Sequence, residues 1–155
     1  MIEIERKFLV ANDSWKQDIL SSHKISQFYL SDLSTTPTVR IRQKDDKGFL
    51  TLKYPSKQED VLVRAEFEYE IPVSDVTAHK QFAKGRIVEK TRHLVRGAEN
   101  LIWEIDVFSS PNPDLVLAEI ELKTADQIIQ LPDWIGPEVT HNPSYSNIRM
   151  AFQSV

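Results

Sequence analysis

The chain reads as an α+β protein, mainly β, and three observations carry that reading. Apolar and ionic residues alternate with a period of two along most of the sequence. Uninterrupted apolar stretches are only a few residues long, far short of the roughly 20 needed to span a bilayer. The polar positions of nearly every extended segment are ions rather than Ser, Thr, Asn or Gln. With 155 residues the chain is expected to form one domain, large enough for a core without disulfide or metal staples.

The first strand is expected at Ile2–Leu9, with Ile2, Ile4 and Phe8 on one side and Glu3, Glu5 and Lys7 on the other. A helix is expected over Asp13–His23, capped by Asn12 or Asp13, with Trp15 and Ile19 recurring four apart. A strand at Lys24–Leu30 and a polar turn at Ser31–Pro37 follow. Thr38–Lys44 and Phe49–Tyr54 form a hairpin through Asp45-Asp46-Lys47-Gly48. After a loop at Pro55–Asp60, Val63–Ile71 alternates again. Ser74 caps a short helix, Asp75–Lys84, which Gly85 ends in the left-handed conformation. Arg86–Arg96 and Asn100–Phe108 pair across Gly97-Ala98-Glu99, and the prolines of Ser109–Asp114 break the sheet. A last strand, Leu115–Lys123, leads to a short helix at Ala125–Leu131 that Pro132 stops. Asn142 and Pro143 open a tail helix with Tyr145, Ile148 and Phe152 as its buried stripe, and Arg149 is expected to close one mouth if the sheet forms a tunnel.

The ions come in i, i+2 pairs, so each pair projects from one face of its strand. Anions pair as Glu3/Glu5, Glu66/Glu68 (with Glu70), Glu104/Asp106 and Glu119/Glu121. Cations pair on other strands as Arg40/Arg42 and Lys90/Arg92, with Lys53 between. Apolar sets such as Leu50/Leu52, Phe67/Tyr69, Trp103/Ile105 and Ile120/Leu122 take the opposite faces. Two architectures satisfy this pattern. In one, the apolar face sits on a core and the charged face is solvated. In the other, the sheet closes with the charged face inward; such a lumen is wet and awaits ionic ligands, because an unpaired buried ion costs several kcal/mol. The composition of the sets favours the second. Paired carboxylates are hard oxygen ligands for Mg²⁺ or Mn²⁺, and paired guanidinium and ammonium groups suit phosphate oxygens. A triphosphate, with roughly four to five negative charges, uses both halves at once.

Other chemistries are excluded. There is no cysteine, hence no thiolate nucleophile and no Zn–Cys site. Lys plus Arg number 19 against 23 Asp plus Glu, and the net charge of −4 argues against binding a nucleic acid polymer. His23, His79, His93 and His141 show no metal-ligand spacing, and neither a Gly-x-Ser-x-Gly elbow nor a Gly-x-x-x-x-Gly-Lys loop occurs. The N-terminus has no signal-peptide h-region, so a cytoplasmic location without membrane attachment is the expectation.

These residues resemble the CYTH superfamily, the triphosphate tunnel metalloenzymes. Glu3-Ile4-Glu5-Arg6-Lys7 matches its Glu-x-Glu-x-Lys signature. Val39–Arg42, Leu50–Lys53, Arg64–Pro72, Lys90–Arg92, Trp103–Asp106 and Ala118–Leu122 are similar to its later strand motifs, in order, and Tyr145-Ser146-Asn147 to its C-terminal segment. The resemblance implies a closed eight-stranded antiparallel barrel, a tunnel with a charged lumen and helices packed outside. It implies a Mg²⁺- or Mn²⁺-dependent enzyme, with tripolyphosphate hydrolysis as the first expectation. A class IV adenylate cyclase, a thiamine or nucleoside triphosphatase, or a non-catalytic polyphosphate-binding module are the alternatives, and a homodimer is left open. Carried over by position, Glu3, Glu5, Glu119 and Glu121 bind metal. Arg40, Arg42, Lys53, Lys90 and Arg92 grip phosphates, and Lys7 contacts substrate beside the metal. Tyr29 is either near the reacting phosphate or a buried structural tyrosine. Glu66, Glu68, Glu104 and Asp106 hold a second metal, orient the attacking water or pair with tunnel cations.

Overall fold

The computed structural model describes residues 2–55 and 62–153; the loop expected at Pro55–Asp60 therefore lies, beyond Pro55, outside the described residues. In chain order the strands are β1 (Ile2–Val10), β2 (Ile19–Tyr29), β3 (Thr38–Lys44), β4 (Lys47–Pro55), β5 (Leu62–Ile71), β6 (Lys84–Arg96), β7 (Ile102–Ser110), β8 (Val116–Glu121) and β9 (Ile135–Glu138). Two short helices are α1 (Val73–His79) and α2 (Asn147–Phe152). All pairings are antiparallel in the order β5-β4-β3-β2-β6-β7-β8-β1-β9, and β5 also pairs with β1, which closes the first eight strands into a barrel. That closing ladder is short, running from Ile2↔Ala65 to Glu5↔Leu62. Further along, β1 instead takes β9 as its second neighbour.

Alternation decides the faces. The apolar residues of β1, β6, β7 and β8 point outward and pack with Trp15 and Trp134 in a cluster holding Phe8, Val95, Trp103, Ile105, Ala118 and Ile120. Phe8 and Trp103, and Trp103 and Trp134, meet edge to face at 5.7 and 5.5 Å. On the opposite flank, Val76 of α1 caps Phe28 and Ile41 on the outside of β2 and β3. Leu50 of β4 and Ile71 of β5 pack against the same cluster, while further along these two strands Tyr54, Phe67 and Tyr69 are exposed.

A third apolar cluster has the opposite sense. Tyr29, Val88, Phe108 and Leu117 share the parity of the charged positions and face inward, yet they pack with Met150, Ala151 and Val139. Thus α2 seats in one end of the barrel rather than on its outside, and the bore is blocked there by side chains. Gly85 makes the close approach possible: its φ is +72° and a Cβ there would lie 2.6 Å from the Ala151 carbonyl oxygen. Gly85 does adopt the left-handed conformation expected of it, but at the start of β6, after α1 and a 3₁₀ turn at Lys80–Phe82.

Three local expectations are corrected. The helix expected over Asp13–His23 is a 3₁₀ turn, Ser14–Asp18, that buries Trp15; from Ile19 the chain is already β2, laddered against Arg92–Val95 of β6. Ala125–Leu131 is not helical: Ile129 alone packs against the core while Ile128 is 91% exposed, so no helical stripe is buried. The tail opens as a 3₁₀ turn at Pro143–Tyr145 under an Asn142 cap, and α2 begins only after Ser146, whose hydroxyl accepts from the Arg149 amide. Strand β9, with Gly136 and Pro137, was not anticipated; it is a four-residue edge strand, where proline is tolerated.

Candidate active site

The inward ions line one cavity of about 280 Å³. Its wall includes Glu3, Glu5 and Lys7 from β1, Arg40 and Arg42 from β3, Lys53 from β4, Glu66 and Glu68 from β5, Lys90 and Arg92 from β6, Glu104 from β7 and Glu119 and Glu121 from β8. Fourteen of the fifteen site residues expected from the sequence stand here, Tyr29 included; Asp106 lies just behind the wall. The architecture with charges on a solvated exterior is therefore not the one adopted.

Register explains the juxtapositions. β1 and β8 oppose Glu5↔Glu121 and Lys7↔Glu119, which crowds three carboxylates and one ammonium onto a single patch. Lys7 Nζ lies 3.5 Å from Glu119 and donates to the Tyr145 carbonyl at 3.1 Å. That cation holds the Glu119 carboxyl down at about 2 despite burial. Glu5 is treated oppositely. Burial, then the charges of Glu119 and Glu3, push its carboxyl up to about 8, and its one ion-pair contact, Arg64, is 4.0 Å away. Burial also raises Glu3 and Glu121, the latter helped by Glu3 and Glu104.

The opposite wall is cationic. Arg92 is clamped by Asp106, with Nε–Oδ1 at 2.8 Å and Nη2–Oδ2 at 3.0 Å, and reaches Glu104 at 2.8 Å. Lys90 Nζ meets the other side of Asp106 at 2.7 Å. Both cations together hold Asp106 well below the usual carboxylate range although it is buried. Burial pushes Lys90 down to about 7, with the Arg92 and Arg42 charges adding to it. Arg40 approaches Glu68 at 3.6 Å and Glu66 at 4.0 Å and donates to Thr51 at 3.2 Å. Lys53 lies 3.1 Å from Glu3. Tyr29 is buried, lies at the apolar end of the cavity, and its hydroxyl accepts from Gln27 at 3.4 Å.

Sequence reasoning missed the neutral members. Gln27, Thr51, Ser146 and Asn147 belong to the wall or its supports, and Arg64 lines it beside Glu5. Parity was a usable signal for Gln27, Thr51 and Arg64, which lie two residues from Tyr29, Lys53 and Glu66. For Asn147 the signal was the Tyr145-Ser146-Asn147 segment, which gave no role because α2 reaches the bore only through the tertiary fold.

The donor set suits a hard divalent cation. Glu3, Glu5 and Glu121 line the cavity from β1 and β8, all raised above the ordinary carboxylate value first by burial, and oxygen-only ligation is what Mg²⁺ or Mn²⁺ takes. Among the described residues no three carboxylates already form a closed ligand cluster.

A closed antiparallel barrel with one blocked end, in which an anionic wall faces a cationic one, defines a tunnel-type barrel with a charged interior. The chain belongs to the CYTH domain family, which matches residues 1–148. It is 38% identical over 146 residues to the inorganic triphosphatase of Acetivibrio thermocellus, spanning 94% of this chain and 90% of that relative. It is 35% identical over 153 residues to the inorganic triphosphatase of Nitrosomonas europaea, spanning 97% of each. The crystal structure of the inorganic triphosphatase NE1496 superposes with a TM-score of 0.68 at 34% identity, covering 97% of this chain and 95% of that one.

Proposed function

We propose that the chain hydrolyses inorganic tripolyphosphate to pyrophosphate and phosphate, using Mg²⁺ or Mn²⁺. The observation that carries this reading is the pairing of a carboxylate patch raised by burial, Glu3, Glu5 and Glu121, with a wall of buried cations inside one cavity. A triphosphate bridges the two walls as no singly charged ligand does, and the lining is dominated by ions rather than by surface for a base. The names of the two curated relatives support the same substrate class.

In this reading Glu3, Glu5, Glu119 and Glu121 hold the metal, which when bound neutralises phosphoryl oxygens and the charge developing on the leaving group. Arg40, Arg42, Lys53, Lys90 and Arg92 fix the phosphate chain so that the terminal phosphorus is presented for in-line attack. Lys7, tied between Glu119 and the Tyr145 carbonyl, steadies the oxygens nearest the carboxylates. Glu66 and Glu68, at the more open side beside Arg40, orient the attacking water and take its proton. Glu104 and Asp106 aim Arg92 and Lys90 at the substrate. Tyr29 bounds the inner end of the cavity.

The test is a substrate panel: tripolyphosphate, ATP and thiamine triphosphate, each with Mg²⁺, Mn²⁺ or Ca²⁺, followed by phosphate release and cyclic AMP formation. Phosphate release fastest from tripolyphosphate is expected. Cyclic AMP from ATP would make the chain a cyclase, and tight binding without release would make it a polyphosphate-binding module.

A further inference from the structure

Arg42 stands apart from the other cations of the bore. Lys90 and Arg92 share Asp106, Lys53 has Glu3, Lys7 has Glu119 and Arg40 approaches Glu68. Among the described residues no carboxylate lies within 4.0 Å of the Arg42 guanidinium; its Nε donates at 2.8 Å to Gln27 Oε1, and Nη2 donates to the same oxygen. An amide oxygen satisfies the fork of an arginine much as a carboxylate does, but it carries no net charge to cancel. Gln27 is itself fully buried and sits directly across the β2–β3 ladder from Arg42.

The carboxamide has only one sensible orientation. Its Nε2 donates to Asn147 Oδ1 at 3.1 Å and to the Tyr29 hydroxyl at 3.4 Å, and Asn147 Oδ1 also accepts from Lys90 Nζ at 2.9 Å. Turned over, it would set its NH₂ against the donors of Arg42. The network from Lys90 through Asn147 and Gln27 to Arg42 therefore contains a single alignment of dipoles.

We infer that Gln27 is a positioning residue, a neutral clamp that orients Arg42 while leaving its charge for a phosphate group of the substrate. This rests on the triphosphate reading above and deepens it: the strongest anion subsite is at Arg42, held by β2 and by the C-terminal helix through Asn147.

The test compares Gln27→Glu with Gln27→Met, measuring KM and kcat for tripolyphosphate with Mg²⁺ alongside thermal stability. Gln27→Glu keeps a partner for the guanidinium but cancels its charge. KM is expected to rise about 10- to 100-fold, the usual effect of one charge-assisted contact, while kcat moves far less and Tm does not fall. Gln27→Met keeps the charge and loses its orientation, so a smaller rise in KM is expected. An unchanged KM in folded Gln27→Glu overturns the inference, as does a fall in Tm accompanied by parallel changes in kcat and KM. If Gln27→Glu does not fold, Gln27→Met decides by the same criterion, and failure of both to fold shows a purely structural role. A wild-type chain that binds tripolyphosphate without hydrolysing it would remove the proposed activity alone; the same variants are then compared by Kd.

Discussion

Glu5 and Asp106 are both buried carboxylates two or fewer residues from another acid, yet their neighbours give them opposite behaviour. Asp106 lies between Arg92 and Lys90 and is a satisfied anion; Glu5 faces Glu119 and Glu3 and is held up at about 8. Asp106→Asn would leave Lys90 without its carboxylate partner and Arg92 with Glu104 alone, and breaking a buried pair of this kind costs about 3–5 kcal/mol. Urea denaturation should show that loss, with KM for tripolyphosphate rising because Arg92 is no longer aimed. Glu5→Ala and Glu121→Ala should behave differently. Turnover with Mg²⁺ is expected to drop about 10²–10³-fold, the scale for losing one preorganised electrostatic contact. Metal-free thermal stability should rise in Glu5→Ala above pH 8, where the wild-type carboxylate is ionised, buried and repelled by Glu119 and Glu3. Near-normal turnover in both variants would remove the metal assignment. The ions at this scale were legible because each is forced inward by a two-residue period; Gln27 and Asn147 were not, because a neutral amide looks the same on a solvated face as in a clamp.

Strands were more readable than helices, two of the four expected helices forming as α1 and α2, for one physical reason. The hairpin of β3 and β4 pairs Thr38↔Lys53 through Lys44↔Lys47, as the alternation on both sides of Asp45-Asp46 demands, with Asp45 at φ 52°. A short helix, by contrast, is stable only where a neighbour buries its stripe. Ile19 through His23 has helical spacing from Trp15 but finds β6 as a partner and extends; Ala125–Leu131 buries only Ile129 against the core, too little for a stripe, and stays irregular. The tail helix forms because the inward residues Tyr29, Val88, Phe108 and Leu117 leave an apolar socket at one end of the barrel. Met150 fills that socket completely buried, so Met150→Ala should destabilise the chain by about 2–5 kcal/mol. Turnover should fall with it even where the barrel remains folded, since loosening α2 frees Asn147 from Lys90 and Gln27. Thermal melts and kinetics on the same preparation check both parts; a destabilised variant with unaltered KM and kcat would separate α2 from the site.

At the scale of the whole molecule, an inward charged face makes stability a function of proton and metal concentration together. Carboxyls raised on folding, Glu5 to about 8 with Glu3 and Glu121 in the same direction, favour the folded state when protonated. Their contribution is complete below about 4.5 and is lost as pH rises through the folded value near 8. Asp106 and Glu119, lowered by Arg92 and Lys7, act in the other sense: their contribution is present above the ordinary carboxylate range and lost as pH falls below it. Lys90, lowered to about 7 by burial, adds stability as pH rises above 7 and opposes that loss, so the metal-free chain should be most stable on the acid side of neutrality and lose Tm chiefly between pH 5 and pH 7. A divalent cation that takes the place of those protons stabilises by binding the folded state alone, and more strongly as competition from protons declines. Adding Mg²⁺ at a fixed millimolar concentration should raise Tm more at pH 8.5 than at pH 6, by on the order of a few degrees, and calorimetric titration at pH 7 should release protons. An equal rise at both pH values, with no proton release, would place the cation away from Glu3, Glu5 and Glu121 and leave the anionic wall of the barrel without its counter-ion.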